Sequence, residues 1–382
     1  MNIDNLPDDC LLYIFNLFNR FETLLNCASV CERWKFLVFE RFRNVKYLSD
    51  YCISGHFPTS TIFIGDDSRL KQTDILKWLP KLKINCFLKI LAFGCLDLSC
   101  FSTLPVKGLL LVWYAVMTNV NLELPLIEML AADYHNFFVN DIHGPKLKQL
   151  FIRRCRLSKF SRCAKHFPNL KRLHIEKFTG RPFKEKFYSG PVFEKLEILE
   201  MAFHTRLKPC AYYGFSLADH CQALKSAFHF IQDDKEFFIN SGIKNHFLED
   251  LVLQFEARQD WSVLRRILIK YPNLKHLAIV REHDTGISDE NIPELLQLLA
   301  HITLIDLRNS EKVTEKSTEY IDWFCRHHNR SISFYYQKRT QITKKWPHLS
   351  TKRVLLGEGF DFMKHCFLMD YNTLPHLLVP IE

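Results

Sequence analysis

Glycine is scarce in this sequence, at 12 of 382 residues, which argues against collagen-like stretches and long flexible linkers. Cysteine is present 13 times, but no Cys-x-x-Cys spacing occurs. A disulfide framework needs a short secreted chain and a structural zinc site needs paired ligands. Reduced cysteines are therefore expected, with Cys27, Cys86, Cys155 and Cys221 lying among apolar neighbours. Long apolar runs are also missing. The longest, Leu109 to Met117, is about half of a membrane span. Met1 to Asp4 lacks the basic and apolar regions of a signal peptide. The expectation is a soluble intracellular protein, cytoplasmic and/or nuclear, with no membrane partner.

Chemical signatures are equally thin. There is no Gly-rich phosphate loop, HExxH, GxSxG or kinase pattern, and Gly357-Glu358-Gly359 reads only as a turn. Cys325-Arg326-His327-His328 fits no zinc spacing. No catalytic residue, metal or cofactor is expected, and the chain reads as a non-enzyme. The net charge of +9 is moderate, and basic residues read as scattered pairs such as Arg153-Arg154, Lys171-Arg172, Arg265-Arg266 and Lys344-Lys345. Such pairs are usually solvated surface, so nucleic acid is not an expected partner.

What is present is a globular composition, 47% hydrophobic and 24% charged, long enough for one large domain or two ordinary ones. From Cys10 to Phe18 only Asn16 interrupts the apolar run. Pro7, Asp8 and Asp9 suit the start of a helix there. Leu11, Ile14, Phe15 and Phe18 fall on one face, while Tyr13 and Leu17 fall on others. Thr23 is a candidate cap for a second helix carrying Leu24, Leu25 and Ala28. Ser29-Val30-Cys31-Glu32 has the form of a capping box opening a third, with Trp34, Leu37 and Val38. Three short helices cannot enclose so much apolar surface, and an exposed patch of this kind marks an interaction site.

In order and spacing, Leu6-Pro7-Asp8-Asp9, Ile14-Phe15, Leu17, Leu24, Val30-Cys31 and Trp34 resemble the F-box motif over roughly residues 4–40. The resemblance implies docking to the Skp-type adaptor of a cullin-RING ubiquitin ligase. Carried over, Leu6 and Pro7 anchor the start, and Ile14, Phe15 and Leu17 fill the adaptor's groove. Leu24, Val30, Cys31, Trp34 and Leu37 complete the apolar surface. Two departures stand out: the link between the first two helices is one residue longer than usual and lacks the common Pro.

Behind these helices, segments of the form L-x-x-L-x-L, with Leu, Ile, Met or Phe at the last position, recur at 88–93, 147–152, 170–175, 196–201, 248–253, 274–279 and, with Ile at the first two apolar positions, 302–307. Weaker copies surround Leu109, Leu130 and Ala227. Central positions 91, 109, 130, 150, 173, 199, 227, 251, 277 and 305 are separated by 18 to 28 residues, near the period of leucine-rich repeats. The fold expectation is therefore α/β: a three-helix F-box at 1–45 and a leucine-rich-repeat solenoid at 46–340, followed by a tail or cap at 341–382. Parallel strands would form the concave face, with helices and irregular segments on the convex face. Helices are read at 261–270, 289–300 and 314–325, an atypical first repeat from a strand at 61–64 and a helix at 73–79, and a last strand near 332–336.

Outward positions between the strand leucines are the candidate substrate surface: Phe151, Arg153, Arg172, His174, Glu176, Asp250, His276 and Arg308, beside Gln149, Glu200, Gln254 and Asp306. Arg153 with Arg172 suits an acidic or phosphorylated segment. For the tail two arrangements are open: folding back along the concave face, as the resemblance implies for some members of the family, or capping the last repeat's open core. The cap is the favoured expectation. The resulting expectation is a substrate receptor of an SCF-type ubiquitin ligase, the alternative being a repeat scaffold or inhibitor outside a ligase.

Overall fold

The structure, a computed structural model, describes residues 3–43, 45–49, 61–63, 90–92, 106–111, 126–133, 143–179, 186–205, 211–231, 237–281, 285–336 and 354–381. The first helix, α1 (Asp8–Leu17), starts after Pro7 with Asp8 and Asp9 in its first turn, where carboxylates meet the positive end of the helix dipole. α2 (Phe21–Ala28) starts two residues ahead of the expected Thr23 cap, and α3 (Glu32–Arg43) completes the set. The expected capping box at Ser29 is corrected. Ser29 has helical backbone (φ −84°, ψ −9°) and closes α2, its Oγ donating to the Asn26 carbonyl at 2.7 Å. An N-cap needs extended backbone, which Ser29 does not have.

The chain forms two units, Met1–Leu147 with Val354–Leu356, and Lys148–Arg353 with Gly357–Glu382. In the first, the helices lead directly into β1 (Tyr47–Ser49), which lies between β2 (Thr61–Phe63) and β3 (Ile90–Ala92) in a parallel sheet. β4 (Gly108–Leu111) and β5 (Met129–Asp133) extend it. The strand β1 was not foreseen, and it breaks the simple succession of strands. The helix read at 73–79 lies outside the described residues.

The second unit continues with β6 (Gln149–Arg153), α4 (Leu157–Cys163), β7 (Arg172–Thr179), β8 (Ile198–Thr205), α5 (Gly214–Ala218) and β9 (Ser226–Ile231). β10 (Asp250–Phe255), α6 (Trp261–Leu268), β11 (His276–Val280), α7 (Ile292–Leu298), β12 (Leu304–Asp306), α8 (Glu315–His328) and β13 (Ser333–Tyr335) follow. Strands β6 to β13 are parallel neighbours in chain order. One row of partners joins Leu150, Leu173, Leu199, Ala227, Leu251, Leu277, Ile305 and Phe334. All but the last are the central positions spaced out in the sequence, including the weak copy at 227. In the first unit Leu91, Leu109 and Leu130 pair likewise.

Parallel strands need crossover connections, and those connections carry apolar faces inward. Leu264, Ile267 and Leu268 of α6 and Ile292, Leu295 and Leu296 of α7 are buried with Leu251, Leu277 and Ile305. α8 is set by its ends. Thr314 accepts from the Lys316 amide at 3.3 Å at the start, and Asn329 closes it in left-handed backbone, a conformation Asn tolerates.

Candidate functional site

α1 is apolar on two faces with different fates. Leu11 and Phe15 point into the helix bundle and are buried, Phe15 meeting Trp34 edge-on at 5.3 Å. Cys10, Tyr13, Ile14 and Leu17, spaced i, i+3, i+4 and i+7, form the other stripe. Tyr13 is 67% exposed and Leu17 66%, and Ile14 is half-buried. Across the bundle Phe21 and Leu24 pack with Leu37, Val38 and Phe42, the rings of Phe21 and Phe42 lying 5.2 Å apart. The turn into α3 exposes Val30 and Cys31, and α3 exposes Phe36.

Of the ten residues read for this surface, Pro7, Leu17, Val30 and Cys31 are exposed. Leu6, Ile14 and Trp34 are half-buried, and Phe15, Leu24 and Leu37 are interior. Those three hold the helices together because they lie on the faces turned toward each other. The Pro7 segment is tied to α3 by Arg33, whose Nε donates to Asp8 Oδ1 at 2.8 Å and Nη2 to the Leu6 carbonyl at 2.6 Å. The unusual link between α1 and α2 also has a use. The Asn19 carbonyl accepts from the Phe63 amide at 2.7 Å and Arg20 bridges Phe63, so the extended link fastens the helices to β2.

The second candidate region is altered by the chain's own end. Residues 357–381 lie across the outward side of β6 to β12, rather than capping the last strand as expected. Gln149 clamps Leu378 through both side-chain amide groups, accepting from its N–H at 2.9 Å and donating to its carbonyl. Arg172 donates to the His376 carbonyl at 3.0 Å and the Pro375 carbonyl at 2.7 Å. The Tyr371 amide donates to Gln254 at 2.9 Å, and Tyr371 stacks on Phe230 at 4.6 Å. Phe151 lies between His174 and His376.

Beneath the tail is a buried charged cluster. Arg172 Nη2 meets Glu200 Oε2 at 2.7 Å, and His174 Nδ1 lies 3.0 Å from the same oxygen. The Cys366 thiol donates to Glu200 Oε1 at 2.9 Å. Burial alone would raise the Glu200 carboxyl, but Arg172, His174 and Cys366 outweigh it and pull it down to about 2. Burial and the neighbouring Glu200 charge push the Cys366 thiol up. The cluster is closed around Glu200, both of whose carboxylate oxygens are bonded, while Arg172 Nε and His174 Nε2 stay buried without a partner among the described residues. Such buried charges, held mainly by one another, tie the tail to one arrangement on the strands.

The open strand face read from the sequence is therefore corrected. Phe151, Arg172, His174, Asp250 and Arg308 are buried, and Arg153, Glu176 and His276 are half-buried. Asp250 accepts from Ser226 and contacts His276, each at 2.6 Å, and Arg308 pairs with Asp306 at 2.8 Å. The physical reason lies in the alternate positions Phe228, Val252, Ala278 and Leu304. They are apolar, and with Phe362, Phe367, Leu374 and Leu378 they form one buried cluster. A face carrying them needs a cover.

With the helices' two-faced packing in view, a family comparison supplies the identification. Residues 3–44 match the F-box-like family model. The chain carries an F-box-like domain at its three N-terminal helices. A search of curated proteins returned no match. Among the described residues no helix is long and apolar enough to cross a membrane, and no group of three metal-ligating side chains occurs. Sequence reading passed over Tyr13 and Phe36 as surface residues. Tyr13 was legible, because the spacing 10, 13, 14, 17 is a second helical stripe.

Proposed function

We propose that this chain is the substrate-receptor subunit of an SCF-type ubiquitin ligase. The F-box-like domain docks on the Skp-type adaptor, and through it on a cullin-RING assembly, while the large parallel sheet holds a protein target. The observation that carries the reading is the outward stripe of α1 with Val30 and Phe36, apolar surface left uncovered by a bundle whose interior is already filled. The recurrent strands, one per 18 to 28 residues, support a leucine-rich-repeat solenoid as the target-holding part. In this role the chain performs no chemistry and takes no cofactor. It brings target lysines to the ligase's charged ubiquitin carrier.

The test is capture of the full chain by purified Skp-type adaptor. Leu17→Asp with Val30→Asp places two charges on exposed apolar positions and leaves the bundle interior intact. The pair is expected to weaken capture by at least about a hundredfold, as when central apolar anchors are lost from an interface. Unchanged capture would remove this surface from the interaction, and no capture by the unaltered chain would favour a scaffold outside a ligase.

A further inference from the structure

The formal net charge of +9 is not spread along the chain. Residues 148–179 hold ten of the 51 Lys and Arg but one of the 42 Asp and Glu. This segment therefore carries the entire excess, and the remainder of the chain balances. The apparent scatter of basic pairs is corrected accordingly.

The fold turns most of this charge outward. β6 ends at Arg153, and Arg154 with positive φ (61°) turns the chain toward α4. Leu157, Phe160 and Cys163 anchor α4 inside, and Phe167 is buried after it. Arg156, Lys159, Arg162 and Lys165 recur every third residue on the opposite flank, and all four are exposed. Arg154 is exposed too, while Arg153 and Lys177 are half-buried. Lys159, Arg162 and Lys165 have no ion-pair partner among the described residues.

The edge of the sheet before each strand is different. There Glu197 pairs with both Lys171 and Lys225, at 3.3 and 3.2 Å, and Glu249 with Lys275 at 2.8 Å. Charges of opposite sign alternate along that edge and neutralise one another. A single-sign surface repels itself and costs stability unless a counter-charge arrives.

We propose that the β6–α4–β7 surface docks an acidic segment of a protein partner. The proposal deepens the receptor reading and rests on it for the partner being a protein target. It also answers where a target sits once the tail covers the strand face. On the α4 flank the exposed Arg162 supplies a planar fork suited to a carboxylate, and with Lys159 and Lys165 it forms a broad attractive field. Binding of a single nucleic-acid strand uses exposed aromatic rings for stacking. Here Phe151, Phe160 and Phe167 are all buried, so acidic peptide is the favoured occupant.

The test is fluorescence anisotropy of the full chain with a labelled polyglutamate peptide and an oligodeoxythymidine of equal charge, at low salt. The peptide is expected to bind more tightly than the oligonucleotide. The triple variant Lys159→Glu, Arg162→Glu, Lys165→Glu is expected to weaken peptide binding by at least about tenfold, the scale of losing several charge contacts. Lys275→Glu, on the balanced edge, is expected to leave it unaltered. These exposed substitutions should preserve the circular dichroism spectrum and adaptor capture. Tighter binding of the oligonucleotide, or a triple variant that binds peptide as before, overturns the proposal. Adaptor capture is scored in the same preparations. Its failure in the unaltered chain overturns the receptor reading while leaving the peptide result to stand by itself.

Discussion

Glu200→Gln should destabilise the second unit by about 3 kcal/mol, the scale of breaking one side of a buried ion pair. The variant keeps the shape of the side chain but leaves the Arg172 guanidinium, 1% exposed, beside a neutral amide. A lowered urea midpoint with an unchanged slope is the expected signature. Replacing Arg172 by Met in the same chain should restore part of the loss, because the uncompensated charge is then removed. The pH dependence follows from the sign of the shift. Glu200 has a folded-state value near 2 against an ordinary 4.5. Its contribution is therefore fully present above about pH 4.5 and is lost as pH falls toward 2. The Gln variant should show a shallower acid limb over that window. Equal midpoints and equal acid limbs would show that the cluster contributes nothing net.

Ending the chain at Gly359 should have a still larger effect. The removed segment buries Phe362, Cys366, Phe367, Leu368, Met369, Leu374, Leu377, Leu378 and Val379. At about 1.5–3 kcal/mol for each large side chain, the loss is more than about 10 kcal/mol, comparable with the whole net stability of a domain. It would also uncover Phe228, Val252 and Ala278. The expected product is aggregated or binds a hydrophobic dye, with no cooperative thermal transition in the second unit. A soluble, cooperatively folding truncation would instead make the tail a detachable latch. Leu378→Asp, whose side chain is fully buried, should reproduce much of the effect without shortening the chain.

How much was legible in the sequence depends on the range of the interactions. The helices at the N-terminus and the strand register were readable because each is coded locally: by apolar spacing in α1 and by a leucine every few residues in β6 to β12. The weak copy at Ala227 was placed by period alone, and it pairs with Leu199 and Leu251. Ser29 misled because a capping box and a helix C-terminus use the same residue type, and only the backbone separates them. β1 was missed because Tyr47–Ser49 follows closely on α3 and has none of the leucine spacing that marks the later strands.

The strand face failed for a different reason. Gln149, Arg172 and Glu200 look like solvated positions in sequence, yet their partners lie in the tail, 229, 203–204 and 166 residues away. No local pattern encodes such pairing. One signal was available: Phe228, Val252 and Ala278 occupy outward positions, and three apolar residues in register predict a covering element. Charge was misread by attending to pairs, when a count over the window 148–179 shows the asymmetry.

The most direct test of the central claim is size-exclusion chromatography with light scattering on the full chain mixed with purified Skp-type adaptor. A single peak at the mass of a one-to-one complex is predicted, lost on Leu17→Asp with Val30→Asp while the variant alone elutes and melts as the unaltered chain does. Two separate peaks for the unaltered chain and the adaptor would contradict the account.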